Sequence, residues 1–234
     1  MPKPLITILS AISLFSCFIE CSSGNGTPQR TTNKEFEGII TYHEILKNSD
    51  STFNSDDTVR LFYSHGNYVA FHSEASLKFH LVKDYYLENK PLRLLLFNNS
   101  DTLHQLNLDH PGEKLDRFTV RRIKERILSR QCEEIDLNIS YPEKDSTTYT
   151  DFTFIFSRGY MTIDKEHFKN WHLGFCDKVM NESGAFYLRF KAVHFDGSHK
   201  NILSSKTYDL ISVKEQTIDP KMFDIDVTKV KGSK

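Results

Sequence analysis

Ten histidines are spread along the chain, and their spacing decides whether they could hold a catalytic metal. A zinc site of the hydrolase type places two histidines on one helix face, as in His-Glu-x-x-His, and a carboxylate beside them. Neither that motif nor His-x-x-Glu-His occurs. His167 and His172 are five apart, which rotates them off a common helical face, and His194 and His199 flank a turn without a nearby cysteine or paired carboxylate. Most of the histidines are therefore expected on the surface or in turns, and no metal or other cofactor is expected. The adjacent acids Asp56-Asp57 and Glu133-Glu134 would point to opposite sides of a strand, so they too are expected in solvent or turns. No Gly-x-Ser-x-Gly elbow, Gly-x-Gly-x-x-Gly fingerprint or phosphate loop is present, and no catalytic residue is assigned.

The four cysteines divide by position. Lys3 precedes an apolar run from Leu5 to Phe15 that stops at Ser16-Cys17. That run has the length of a secretory signal and is too short to span a membrane. Leu14-Phe15-Ser16-Cys17 resembles a lipobox, with Cys17 as the lipidation site and new N-terminus. The alternative is cleavage by an ordinary signal peptidase at Cys21-Ser22-Ser23, before Gly24. Cys132 and Cys176 lie further on; in an oxidising compartment they form either one disulfide or two buried thiols. No Cys-x-x-Cys pair occurs, which leaves a thioredoxin-like redox site unsupported.

Thirty basic against thirty-one acidic side chains leave the chain almost neutral. Arg117, Arg121, Arg122, Lys124, Arg126 and Arg130 form the only basic cluster, interleaved with Phe118, Val120, Ile123 and Ile127. That reads as the solvated side of an amphipathic segment, so no nucleic-acid partner is expected. A leader over 1–21, a polar tether over 22–34, one β-rich domain over 35–224 and a C-terminal tail over 225–234 account for the length. Asn25-Gly26-Thr27, Asn98-Asn99-Ser100, Asn138-Ile139-Ser140 and Asn181-Glu182-Ser183 fit the glycosylation pattern and keep a eukaryotic secreted setting open.

Strand character dominates from Phe36. Phe36 to Ile45, Val59 to Tyr63, Tyr68 to Phe71, Phe79 to Leu87 and Arg93 to Phe97 are short, aromatic and β-branched, with polar breaks such as Ser64-His65-Gly66-Asn67. Thr102 to Leu108, Cys132 to Ser140 and Thr148 to Phe156 continue the series. Ala185 to Phe195 and Ile202 to Lys214 form a hairpin about Asp196-Gly197-Ser198. Asp116 to Arg130 places Phe118, Ile123, Ile127 and Leu128 on one helical face and is read as a helix, although an irregular strand fits as well. Asp164 to Leu173 is expected as a short helix with Asp164 as its N-cap. The fold class is mainly β: a curved antiparallel sheet or half-open barrel, with a few short helices against its concave face.

Eighteen phenylalanines and ten tyrosines supply either an ordinary core or an apolar groove. The groove would be lined by Phe152, Phe154, Phe156, Phe186, Leu188 and Phe190. Phe36-Glu37-Gly38-Ile39-Ile40-Thr41-Tyr42, Gln131-Cys132-Glu133-Glu134, the stretch from Phe156 to Trp171 and Pro220-x-x-Phe223 resemble uncharacterised envelope proteins of Gram-negative bacteria near the LolA/LolB lipoprotein-carrier superfamily. The resemblance covers most of Phe36 to Phe223. It implies a half-open barrel with a helical lid and a concave face that accepts acyl chains, and it carries over no catalytic residue. A shuttling carrier is soluble, whereas a lipid on Cys17 would fix this chain to a membrane. The expectation is a non-enzymatic, exported envelope protein, outer-membrane or periplasmic, that binds a lipid or other apolar ligand. An envelope protein partner, docked on a sheet edge or loops, is the alternative, followed by a hydrolase whose site is assembled from distant residues.

Overall fold

Every second residue at the start of the first long strand is buried: Gly38, Ile40, Tyr42 and Glu44 point inward, while Ile39, Thr41 and His43 lie between core and solvent. That period of two recurs along the chain and produces a sheet with one packed face. The computed structural model describes residues 18–19, 34–50, 54–73, 81–98, 100–109, 112–143 and 146–231. The strands are β1 (Phe18–Ile19), β2 (Gly38–Asn48), β3 (Ser55–Ser64), β4 (Asn67–His72), β5 (Leu81–Leu87), β6 (Leu92–Phe97) and β7 (Leu103–Leu106). They continue as β8 (Lys114–Ile127), β9 (Arg130–Pro142), β10 (Thr147–Phe156), β11 (Gly184–Phe186), β12 (Arg189–Phe195), β13 (Ile202–Glu215) and β14 (Val230–Lys231).

Twelve of these strands make one curved, unclosed sheet in the order β14-β7-β6-β5-β4-β3-β2-β13-β12-β10-β9-β8. β2 to β7 run as a meander of hairpins, and β13 returns to pair with β2, so the seam joins the early and late halves of the chain. At that seam Gly38 is obligatory: a Cβ there would meet the Lys214 carbonyl oxygen at 2.3 Å. The expected hairpin about Asp196-Gly197-Ser198 is present as β12 and β13. β1 and β11 form a separate two-stranded pair.

Lys114 to Ile127 is a strand and not a helix. It pairs with β9 through a tight turn in which Leu128 and Ser129 take φ values of 50° and 62°. The helical spacing of Phe118, Ile123 and Ile127 has a different origin. A register shift between Arg122 and Arg126 turns the strand so that all three pack on the core. The segment from Asp164 to Leu173 is shorter than expected: a 3-10 helix covers Lys165–Phe168, with the Asp164 side chain accepting from the Glu166 N–H as its cap. A second 3-10 helix, Leu173–Phe175, leads into α1 (Cys176–Ser183), which ends at Gly184 with φ 66°. Among the described residues no helix is long and apolar enough to cross a membrane.

The crossover between β10 and β12, residues 157–188, fills the concave face. Phe168, Trp171, Phe175, Val179 and Met180 pack there against Tyr42, Tyr63, Tyr68 and Tyr86, and burial of each large side chain contributes about 1.5–3 kcal/mol. A smaller cluster on the convex face, Val69, Tyr85, Leu94 and Leu103, is covered by Met222, Phe223, Ile225 and Val230. In the segment expected as a tail, a 3-10 helix at Val227–Lys229 precedes β14, which pairs in parallel with β7.

Candidate functional site

The structure places the six expected groove residues on three neighbouring elements. Phe152, Phe154 and Phe156 lie on β10, Phe186 ends β11, Leu188 follows, and Phe190 is on β12; each is at most 1% exposed. Phe154 pairs with Phe190 across the ladder, their ring centroids 5.0 Å apart, and Phe152 lies 6.1 Å from Phe190. Phe186 belongs to another group, 5.3 Å from Phe36 and 5.1 Å from Tyr63. Phe156 and Leu188 share the same core. Cys17 lies outside the described residues. Cys132 and Cys176 are two separate buried thiols; Cys132 Sγ donates to the Arg130 carbonyl at 3.4 Å, and burial pushes its pKa up.

Two positions along the same inward-facing series, the concave face changes character. Glu44 follows Tyr42, Asp57 precedes Val59, His72 follows Ala70, Lys206 precedes Tyr208, His194 follows Ala192 and Thr150 precedes Phe152, and all six are buried. Side chains two apart on a strand share a face, so these residues form a polar belt across six strands beside the aromatic wall. Lys206 Nζ lies 3.0 Å from Glu44 Oε1, and His72 Nδ1 lies 3.3 Å from Glu44 Oε2 and 3.6 Å from Asp57 Oδ2. The Asp57 carboxylate also accepts from the Ser73 hydroxyl and, at 3.1 Å, from the Ser73 N–H. Beyond them Arg93 Nε donates to Asp84 at 3.0 Å, and its guanidinium lies 5.0 Å from the centre of the Trp171 ring. Asp84 is on the inner side of β5 with Tyr86, and Arg93 faces Tyr86 from β6.

These charges neutralise one another in pairs. Burial pushes the Glu44 carboxyl up, but Lys206 and His72 outweigh it and hold the pKa well below the usual range. Burial likewise opposes the His72 cation, yet Glu44 and Asp57 raise its pKa overall. With Glu44 and Asp57 both facing it, the His72 imidazole is held toward its charged, hydrogen-bond-donating form. At the other end of the belt His194 Nδ1 meets Thr150 Oγ1 at 3.0 Å, and burial lowers its pKa. Ser204 stands opposite His194 in the ladder, 1% exposed, and its hydroxyl has no hydrogen-bond partner among the described residues.

A second titratable group lies where the aromatic wall meets the chain's entry to the sheet. Glu35 accepts from the Tyr63 hydroxyl and, at 3.1 Å, from the Asp164 N–H, and lies 3.4 Å from both His167 Nε2 and His65 Nδ1. Burial raises its pKa, but the bonds from His167, Tyr63 and Asp164 bring it down to about 2. His167, bonded to Glu35 and 3.7 Å from Glu88, is raised. This cluster ties the start of the domain to the crossover. Among the described residues no group of three His, Cys, Asp or Glu is arranged to hold a metal ion.

One expectation needs correcting: Asp57, Glu133 and Glu134 are buried at 3%, 7% and 9% instead of lying in solvent, whereas among the described histidines only His72 and His194 are buried. Glu133 and Glu134 do point apart, Glu133 toward Arg158 at 2.8 Å and Glu134 toward Arg121. The signal for the belt was a charged residue continuing an inward-facing series, as in Ile40-x-Tyr42-x-Glu44 and Tyr68-x-Ala70-x-His72. The chain matches no family model and no curated protein.

Proposed function

We propose that this is an exported, non-enzymatic envelope protein, held to a membrane by a lipid on Cys17, that takes an amphipathic ligand with an acyl chain against its concave face. The observation that supports this reading most is the composition of that face. Phe152, Phe154 and Phe190 form an aromatic wall, and a row of polar and charged side chains runs beside it on the same strands. An acyl chain suits the wall and a polar headgroup suits the belt. The crossover fills this face and leaves the wall at most 1% exposed, so an acyl chain reaches it only when the crossover, which leaves and rejoins the strands near Gly159 and Gly184, both at positive φ, moves aside. The sequence resemblance to lipoprotein carriers points the same way.

The test uses protein purified from its own membrane fraction, beside Cys17→Ser, in native mass spectrometry. The proposal expects a diacyl or triacyl mass that the variant lacks, plus a second, dissociable apolar mass. The single tryptophan, Trp171, is fully buried in the crossover, so its emission reports whether that segment moves when lysophospholipid is added. An unmodified mass starting near Gly24, no dissociable ligand and an unchanged Trp171 spectrum would overturn both anchor and ligand.

A further inference from the structure

The two edges of the sheet are unequal. One ends in the two-residue β14, whereas the other is the whole fourteen-residue β8, whose only strand partner among the described residues is β9. An edge strand turns half its backbone N–H and C=O groups outward and is a template for another chain. From Arg117 to Arg122 the pairing with Glu133 to Asn138 runs without interruption, so six consecutive residues offer a regular edge, flanked by register shifts on both sides.

β8 carries six cations, Lys114, Arg117, Arg121, Arg122, Lys124 and Arg126, against two anions, Asp116 and Glu125. Ten of its fourteen residues are exposed. Part of the charge is neutralised locally: Lys114 pairs with Asp116 at 2.8 Å, Arg121 with Glu134, and Glu125 with Arg189 at 2.8 Å. Arg117, Lys124 and Arg126 have no ion-pair partner among the described residues. A row of cations also defends an edge against self-association, since a second copy in an antiparallel pair would bring like charges together. Defence does not account for Val120, 36% exposed on the regular stretch, or Leu128, 53% exposed at the turn.

We infer that β8 is a docking edge for an extended, acidic segment of a partner protein, which adds as a thirteenth strand beside Arg117 to Arg122. Main-chain hydrogen bonds supply the attraction common to any strand. Arg117, Lys124 and Arg126 select carboxylates, and Val120 receives an apolar side chain between them.

The probe is a synthetic peptide of alternating Glu and Val, with its Lys-Val counterpart as control, added to the full chain. Hydrogen exchange at 117–122 is followed together with the affinity. The acidic peptide is expected to slow exchange on β8, to bind at least about tenfold more tightly than the basic one, and to weaken with added salt. Arg117→Glu together with Lys124→Glu and Arg126→Glu, all exposed, reverses that preference without changing the melting temperature by more than a few degrees. Val120→Pro, which alters the backbone and leaves the charge intact, abolishes the slowed exchange. Equal binding of the two peptides would overturn the inference. So would binding to acidic vesicles or DNA that leaves β8 exchange unchanged while the acidic peptide does not bind.

Discussion

At one end of the concave face Trp171 packs 4.9 Å from the Tyr86 ring and 6.2 Å from Tyr68; in the polar belt, on β2, β4 and β13, Glu44, His72 and Lys206 are almost as deeply buried. Burial is thus nearly equal, but its energetics are opposite. The aromatic end gains from every square ångström removed from water, whereas the polar end must first recover the desolvation of its ions. A sheet that needed only a core would extend Ile40 and Tyr42 with another apolar residue. Glu44 stands there instead, paired with Lys206 and His72.

The largest effects should come from breaking either side alone. Trp171→Ala removes the side chain packed among Tyr68, Tyr86 and Phe168 and is expected to cost about 3–5 kcal/mol in urea unfolding. Glu44→Leu strands Lys206 and His72 without their shared anion and is expected to cost about 3–5 kcal/mol as well. The two sites part company on repair. Glu44→Leu with Lys206→Met, which removes that pair whole and leaves His72 facing Asp57, should recover most of the loss, because replacing a buried ion pair by apolar side chains is often neutral. If the double variant recovers stability yet loses the lysophospholipid response of Trp171, the belt serves binding; if it keeps that response, the belt is only a way of filling the interior.

A smaller effect separates the ends by pH. Glu35 is held down to about 2 against an ordinary 4.5, so its contribution is full above pH 4.5 and is lost as pH falls toward 2. His167 is raised above 6.5, so its contribution is full below pH 6.5 and is lost as pH rises through its folded value. Stability from the Glu35 cluster should therefore peak between about pH 4.5 and 6.5, with Tyr63, His65, Glu88 and Asp164 as the neighbours that set the limbs. His167→Gln should flatten the alkaline limb of a plot of urea midpoint against pH. His72, also raised but enclosed by Glu44 and Asp57, should leave a separate alkaline limb in that variant.

The sequence showed the strands because aromatic and β-branched runs broken by Asn, Gly and Asp determine a sheet locally. Thr148 to Phe156 and the Asp196 hairpin needed no tertiary information. Asp116 to Arg130 misled because a bulge imitates a helical period, and nothing local distinguishes the two until β9 is in place. The polar belt was harder still. Thr150, His194, Lys206, Glu44, Asp57 and His72 come from six strands, and only the order β10-β12-β13-β2-β3-β4 lays them side by side. Asp56 and Asp57 show the limit of single-segment reading: one is exposed and bonds His43 at 2.6 Å, while its neighbour is 3% exposed in the belt.

The smallest effect tests whether enclosure, and not charge, makes the belt matter. Arg121 and Glu134 also form a close ion pair, but Arg121 is 64% exposed on the outer strand. Water and salt screen it, so Arg121→Ala should leave the urea midpoint nearly unchanged, and what small loss there is should shrink as salt is added. Lys206→Ala, at a similarly close pair whose two side chains are only 7% and 3% exposed, should cost several times as much. Equal losses at the two sites, measured by urea unfolding under matched salt, would mean that the interior end is wet. The contrast between the two halves of the concave face would then be one of composition alone.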